Sequence, residues 1–502
     1  MKLPYLRTSG KAAQLTDSFL GLCLTEEYKN GCLCKGSRLS SDDSPGLCQR
    51  KTPRQTAFYT EPQGICVKDG LAVMHNGRVI YAGEDIGGIT DGKKQTAVIG
   101  NKIVIFPDKL YIDTLSGKLM PMEEALTLQK AVFTSKAIAF GSEECPFSVG
   151  DGVEIAGCID YRSNNLTLII RGVEQNSLIF DEGAFEAGIE NHEVTIKRRI
   201  PELEVICESG NRLWGCEGNT IYSSKLGDPL NFFVYDRLST DAYALDVAGD
   251  GAFTACGQYS SHIVFFKEDI AYKLYGTRPA NYQLMTARIP GVRRKCGRSL
   301  WTDSEDMYYL GRMGVYAYSG GVPELVSAAL GEIEAEEACA CVWKGKYYLS
   351  LWDGVKGETL TYDIAKGIWL PWGSESAFAF ALSGGSMYML ERGGALLELD
   401  KGEEKEAWSA ELRPFKDGTG RNTQCTSLII DAEPEKGSWM EVYMSENGGP
   451  YMKLAAFDST KRGLRPIMLP PNRGNRLNFK LEGLGLCRIY SIERRFRIGS
   501  ES

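Results

Sequence analysis

Between Gly210 and Phe232 the chain packs a complete structural unit into a few residues. Leu213–Cys216 and Thr220–Ser223 read as short strands around Gly218-Asn219, and Gly227-Asp228-Pro229 follows as a rigid corner. Glycine and asparagine supply the positive φ that a tight hairpin turn needs, and proline ends the ladder by removing a backbone donor. Such a hairpin cannot bury both faces alone, so a chain made of them must stack them around an axis to form a core.

Variants of the unit recur through most of the chain. Leu71–Met74 and Arg78–Ala82 flank Asn76-Gly77, and Ala97–Phe106 precedes Lys109–Thr114 across Pro107-Asp108. Then come His262–Phe266 with Ala271–Tyr275 and Met307–Leu310 with Val315–Tyr318. Tyr347–Trp352 with Thr359–Asp363 and Met387–Leu390 with Ala395–Asp400 complete the series. Neighbouring hairpins start roughly 30 to 50 residues apart, the period of a propeller blade. The expectation is an all-β chain centred on a β-propeller of about six or seven blades, the first in 56–115 and the rest in 201–404.

Three segments depart from that rhythm. Residues 1–55 read as an extended arm, with turn-forming serines, aspartates and proline in Leu39–Arg50, ordered by tertiary or subunit contacts. In 116–200, Val149-Gly150-Asp151 and the short strands after it suggest a small β-barrel inserted between blades, which a loop accepts at little entropic cost. In 405–502, strands at Thr426–Ala432, Ser438–Ser445, Tyr451–Ala456 and Ile489–Ile498, with turns at Asn447-Gly448-Gly449 and Pro470-Pro471, predict a small β-sandwich.

A formal net charge of -8 argues against a general nucleic-acid-binding surface, but an acidic wall suits DNA that slides past. No apolar run approaches the roughly 20 residues that span a bilayer, and Met1–Gly21 lacks a basic-then-apolar secretion signal. The 15 cysteines are scattered and odd in number, so they read as buried, reduced thiols of a cytoplasmically made protein.

Residues able to do chemistry are present without the company that chemistry needs. His75, His192 and His262 lie far apart with no evident orienting partner. Cys32/Cys34 and Cys339/Cys341 are spaced too closely, and too far from any histidine, for a zinc set. Glu334–Glu337 and Glu403-Glu404-Lys405-Glu406 read as solvated acidic faces before glycosidase carboxylates, and Asp42-Asp43 and Asp241–Asp250 lack calcium-loop spacing. The basic runs Lys197-Arg198-Arg199, Arg293-Arg294-Lys295 and Arg494-Arg495-Phe496-Arg497 suit pairing with a neighbouring subunit or solvation. Tyr347, Tyr348, Trp352, Trp369 and Trp372 suit packing between blades before a sugar groove. No catalytic, cofactor-binding or metal-binding residue is assigned, no cofactor is expected, and the chain reads as a non-enzyme.

Two segments carry a resemblance. Leu39-Ser40-Ser41-Asp42-Asp43-Ser44-Pro45 through Arg50 resembles a segment near the start of tail proteins of phages that infect Gram-positive bacteria, with Cys48-Gln49-Arg50 in place of the usual closing Pro-Arg. Ile221-Tyr222-Ser223-Ser224-Lys225-Leu226-Gly227-Asp228-Pro229-Leu230-Asn231-Phe232 is similar to a blade-ending corner of the same proteins. The layout of arm, propeller, inserted barrel and terminal β domain resembles tail nozzle or hub proteins of short-tailed phages. That resemblance implies a virion structural protein made in the host cytoplasm. It would form a homo-oligomeric ring, a hexamer in that family, with portal-adaptor proteins above and tail fibres or a plug below. DNA would pass through the channel without sequence-specific binding, and no membrane would be contacted. The alternative is a carbohydrate- or receptor-binding propeller at a tail tip, with Trp369 and Trp372 stacking on sugar rings.

Overall fold

The computed structural model describes all residues except 1–10, 141–144, 304, 416–422, 459, 471–475 and 499–502. The chain is all-β: among the described residues its only helical segments are four single 3-10 turns. It divides into two compact units, a central one (Tyr59–Arg312 with Tyr318–Pro323) and a terminal one (Met1–Phe58, Met313–Ala317 and Glu324–Ser502).

The central unit contains four antiparallel four-stranded meanders. The first runs from Pro62–Lys68 through Gly70–His75 and Arg78–Tyr81 to Glu84–Gly88, and the second from Gln95–Ile99 through Lys102–Phe106 and Leu110–Asp113 to Lys118–Pro121. The third starts at Val205–Ser209 and ends at Tyr243–Asp246, and the fourth starts at Ala255–Tyr259 and ends at Gln283–Ala287. Trp301–Thr302 and Met307–Leu310 add a further antiparallel pair. The first strand of each meander packs on the first strand of the next.

Strand periodicity explains that stacking. Along Lys102–Phe106, Ile103 and Ile105 face Ala72, Met74 and Val79 of the first meander. The alternate residues Val104 and Phe106 instead join Leu213 and Phe232 of the third. Leu213 shares that core while its neighbours Trp214 and Cys216 face Phe265 and Tyr272 of the fourth. Successive side chains point to opposite faces. Here both faces meet a core, so these strands read as apolar runs and not as half-polar alternations.

The hairpin at Asn76-Gly77 forms as expected, with φ of 44° and 70° at the two turn residues. The continuous strand expected over Ala97–Phe106 is instead two strands, Gln95–Ile99 and Lys102–Phe106, because Gly100 (φ 58°) turns the chain back on itself. Between the second and third meanders lies the inserted module. It consists of a four-stranded sheet bounded by Glu124–Leu128 and Thr167–Ile169 and a five-stranded sheet bounded by Gly172–Glu174 and Gly188–Glu190. The two share one core that includes Phe133, Ile138, Phe147, Val153, Phe180 and Ile196. They remain separate sheets, so the closed barrel expected here is not found.

The terminal unit holds a meander of Glu337–Trp343, Lys346–Trp352, Gly357–Asp363 and Ile368–Gly373. Its neighbour, formed by Ala377–Ser383, Ser386–Glu391 and Ala395–Glu398, takes its fourth strand from Arg54–Phe58, some 340 residues away along the chain. Two further sheets are built from both ends of the sequence. Lys11–Thr16 pairs with Cys487–Ile498, which pairs with Thr423–Pro434, and Cys32–Ser37 pairs with Ala407–Leu412. The segment expected as a separate arm is therefore woven into the sheets of its own chain. In the same sheets, Gly463–Met468 and Leu477–Leu484 are strands that the sequence pattern did not suggest. Of the expected Pro470-Pro471 turn, Pro471 lies outside the described residues.

The Gly-Asp-Pro corner and the Val-Gly-Asp segment, distant in sequence, meet in the central unit. Asp151 accepts from Arg198 Nη1 (3.0 Å) and from Asn231 Nδ2 (3.0 Å), and the same amide donates to Asp228 (2.7 Å). Asn231 Oδ1 takes the Gly152 N–H (2.9 Å), and Arg198 Nε reaches the Met122 carbonyl (3.2 Å). Both charged side chains are only 8% exposed. Removing one partner of a buried pair strands the other charge in a low-dielectric interior. Asp151→Ala should thus lower the stability of this unit by about 3–5 kcal/mol, read as an earlier urea midpoint. Asp151→Asn, which keeps the shape and can still accept, should cost less; equal midpoints for wild type and Asp151→Ala would refute the anchoring role.

Candidate functional site

The segment Leu39–Arg50 is the most densely fastened stretch of the terminal unit. Ser41 Oγ donates to Asp363 (2.5 Å), Lys346 Nζ reaches Ser40 Oγ (3.0 Å) and Asp42 (2.6 Å), and Arg488 reaches Asp43 (2.8 Å). Asp42 and Asp43 are thus bound to lysine and arginine of the same chain. Arg50, 5% exposed, donates Nε to the Trp372 carbonyl (2.8 Å) and its terminal nitrogens to Glu375 (2.8 Å) and Glu406 (3.0 Å). Its guanidinium also lies over the Trp372 ring at 3.9 Å. The planar fork suits this role, since it meets two carboxylates while stacking on an aromatic face.

This packing decides the fate of the aromatic candidates. Trp369 and Trp372 are 2% and 3% exposed, and Trp369 Nε1 donates to the Val326 carbonyl (3.0 Å). Tyr347 and Tyr348 are buried as well, and Trp352 is half-buried beneath Arg392 at 4.8 Å. A sugar-binding face built on Trp369 and Trp372 is therefore not available.

The basic runs also find partners at home. Besides Arg198, Lys197 pairs with Glu123 (3.0 Å) and Arg199 approaches Glu154 (3.9 Å). Arg494 is buried, bonded to Gln14 (3.1 Å) and stacked on Phe415 and Phe496, and Arg495 pairs with Glu493 (2.6 Å). Arg294 and Lys295 are exposed beside half-buried Arg293. Of the acidic clusters, Glu337 pairs with Arg392 (2.7 Å) and Glu406 with Arg50, while Glu334, Glu403 and Glu404 are exposed. Asp241 is buried and its carbonyl accepts from Arg212.

Cys339 and Cys341 are buried within one strand, their thiols near the carbonyls of Ala377 and Val342. Cys34 is half-buried against the Glu411 carbonyl, and burial pushes its thiol up to about 11. Such thiols are poor nucleophiles and poor metal ligands, since the thiolate does that chemistry.

The histidines sit in three different settings. His75 packs against Tyr59, with ring centroids 5.0 Å apart. His262 is buried and stacked on Tyr275 at 4.4 Å, and burial, with Lys273 adding to it, pushes its imidazole below the ordinary range. His192 does have an orienting partner, missed in the sequence although it stands two residues away. Its Nδ1 lies 2.7 Å from Glu190 Oε1 and 3.5 Å from Asp160. A carboxylate only accepts, so Nδ1 carries the proton.

Asp160, Glu190 and His192 bring three potential ligand atoms within 4.8 Å of one another. They do not fit a metal. Glu190 Oε2 accepts the N–H groups of Ile159, Asp160 and Tyr161 (3.0, 2.9 and 3.1 Å), and Oε1 accepts the His192 N–H and ring. With its lone pairs committed, the carboxylate works as the hub of a loop.

No family model matches the chain. No curated protein matches it. Solved structures similar to it include the computationally designed Ika8 protein, 12% identical over 70% of this chain and 98% of that one, with a TM-score of 0.35. BamB from Moraxella catarrhalis is 9% identical over 70% and 97%, with a TM-score of 0.33. An exo-β-1,3-galactanase from Phanerochaete chrysosporium is 10% identical over 58% and 94%, with a TM-score of 0.23. Likenesses this weak carry no argument about function.

Glu190 makes the loop sensitive to acid. Burial pushes its carboxyl up, but His192 and the three backbone donors outweigh that and hold it at about 2, below the usual 4.5. A depressed acid contributes stability that is fully present above its unfolded value and is lost as pH falls toward the folded one. Glu190→Gln should therefore lower thermal stability at pH 7 and flatten its decline between pH 4.5 and 2. Melting curves across that range test this, and parallel curves for the two proteins would contradict it.

Proposed function

We propose that this chain is a virion structural protein, a tail nozzle or hub subunit whose ring conducts DNA during ejection. The observation that carries the reading is the use made of the two segments that resemble such tail proteins. Leu39–Arg50 fastens strands of the terminal unit, and Asp228 and Asn231 of the corner join the Asp151–Arg198 pair. Both segments act as fasteners, which is the work a wall-forming protein asks of them.

In this reading the four-stranded meanders are blades of one propeller. Two features support it: first strands packed in succession, and a final sheet completed by Arg54–Phe58, the kind of strand exchange that closes a circular array. Portal-adaptor proteins would sit above the ring and fibres or a plug below. A ring arises from a heterologous, head-to-tail interface whose rotation closes.

Negative-stain electron images and mass photometry of the purified protein test the assignment. The expected particle is a ring with a central hole, sixfold as in the family it resembles. A chain that stays monomeric at high concentration and forms no ring with an adaptor protein would overturn the proposal. With a net charge of -8 per chain, the channel wall should carry more Asp and Glu than Lys and Arg, so that DNA slides. Counting charges on lumen-facing side chains in an assembled ring checks this; a net positive wall would replace sliding with holding.

A further inference from the structure

Below the Arg50 latch, the terminal unit encloses a cavity of about 260 Å³. Gln49, Arg50, Trp408 and Ser438 border it, and all four are at most 5% exposed. Three of them hold polar atoms with no hydrogen-bond partner among the described residues: Gln49 Nε2, Trp408 Nε1 and Ser438 Oγ. The indole and amide nitrogens are donors only, and the hydroxyl is a third donor free to rotate. A buried donor left without an acceptor costs about 1–3 kcal/mol of desolvation, so three around one space call for an occupant that brings oxygen acceptors. Gly485 leaves the wall open beside Ser438, since a Cβ there would lie 2.4 Å from Ser438 Oγ.

Charge narrows the class of occupant. Arg50 is already matched by Glu375 and Glu406, and Arg38 lies 3.4 and 3.5 Å from the same two carboxylates. Around the cavity, Lys51 and Lys405 face Asp400, Glu403, Glu404 and Glu435. With the arginines neutralised and carboxylates in excess nearby, an anion gains no net field and a cation meets a wall of donors. The volume falls short of the roughly 300 Å³ at which drug-sized pockets begin, so the occupant is small.

We propose that this cavity binds a small, uncharged, hydroxyl-rich molecule of monosaccharide size, with Gln49, Trp408 and Ser438 donating to its oxygens. The site is distinct from Trp369 and Trp372, and its occupancy does not depend on ring formation.

Glucose, galactose and N-acetylglucosamine, titrated separately into the full chain, test the proposal, with sodium sulfate as the anionic arm. The readout is the indole N–H resonance of Trp408, assigned by its loss in Trp408→Phe, together with calorimetric titration. At least one sugar should shift that resonance saturably, with one site per chain and a Kd of about 1 mM or tighter. Trp408→Phe and Ser438→Ala, which remove one donor each, should weaken binding roughly three- to tenfold apiece. Three results would overturn the proposal: no sugar moving the wild-type resonance, sulfate saturating the site in place of sugars, or unchanged affinity in both variants. The first leaves a water-filled cavity, and it needs no variant to fold.

Discussion

The Asp151 carboxylate is the point on which the central unit turns. It lies between the inserted module and the meander that follows, and it is held by Arg198 from one and Asn231 from the other. Stacked β-meanders face a recurring difficulty, because apolar faces slide over one another with little to set their register. A buried ion pair tolerates only one arrangement, since any slip strands a charge.

The same device recurs elsewhere. Lys94 and Asp108, whose side chains are 0% and 4% exposed, pair at 2.7 Å near the link between the first two meanders. Lys267 is buried with its ammonium on Asn219 Oδ1 (2.7 Å) and the Gly249 carbonyl (2.8 Å), tying the fourth meander to the loops of the third. Arg212 is satisfied by the carbonyls of Ser224, Ser239 and Asp241. Apolar burial supplies the attraction between sheets, and these cations supply the alignment.

The sequence disclosed whatever is local. Asn76-Gly77 and Gly218-Asn219 announce their turns because few residues accept positive φ. The strand pair His262–Phe266 and Ala271–Tyr275 appears with the same bounds in the structure. Local signals failed at Gly100, where a turn glycine sat inside an apolar run, and at Gly463–Met468, where Pro466 disguised an edge strand. Long-range facts were out of reach. Nothing near Arg198 signals that Asp151 will be its partner, and a lysine such as Lys267 reads as surface by type. The unpartnered donors of the terminal cavity were equally hidden, since Gln49, Trp408 and Ser438 come from widely separated parts of the chain.

The strand Arg54–Phe58 also constrains time. It emerges early during synthesis, yet its pairing partner, Ala395–Glu398, follows some 340 residues later. Lys11–Thr16 waits longer still, for Cys487–Ile498. Each must remain unpaired while the meanders between them assemble, presenting an open strand edge throughout. The final strands therefore act as a checkpoint on the nascent chain: until they arrive the terminal unit has no closed sheets, and a truncated product is marked by its own exposed edges.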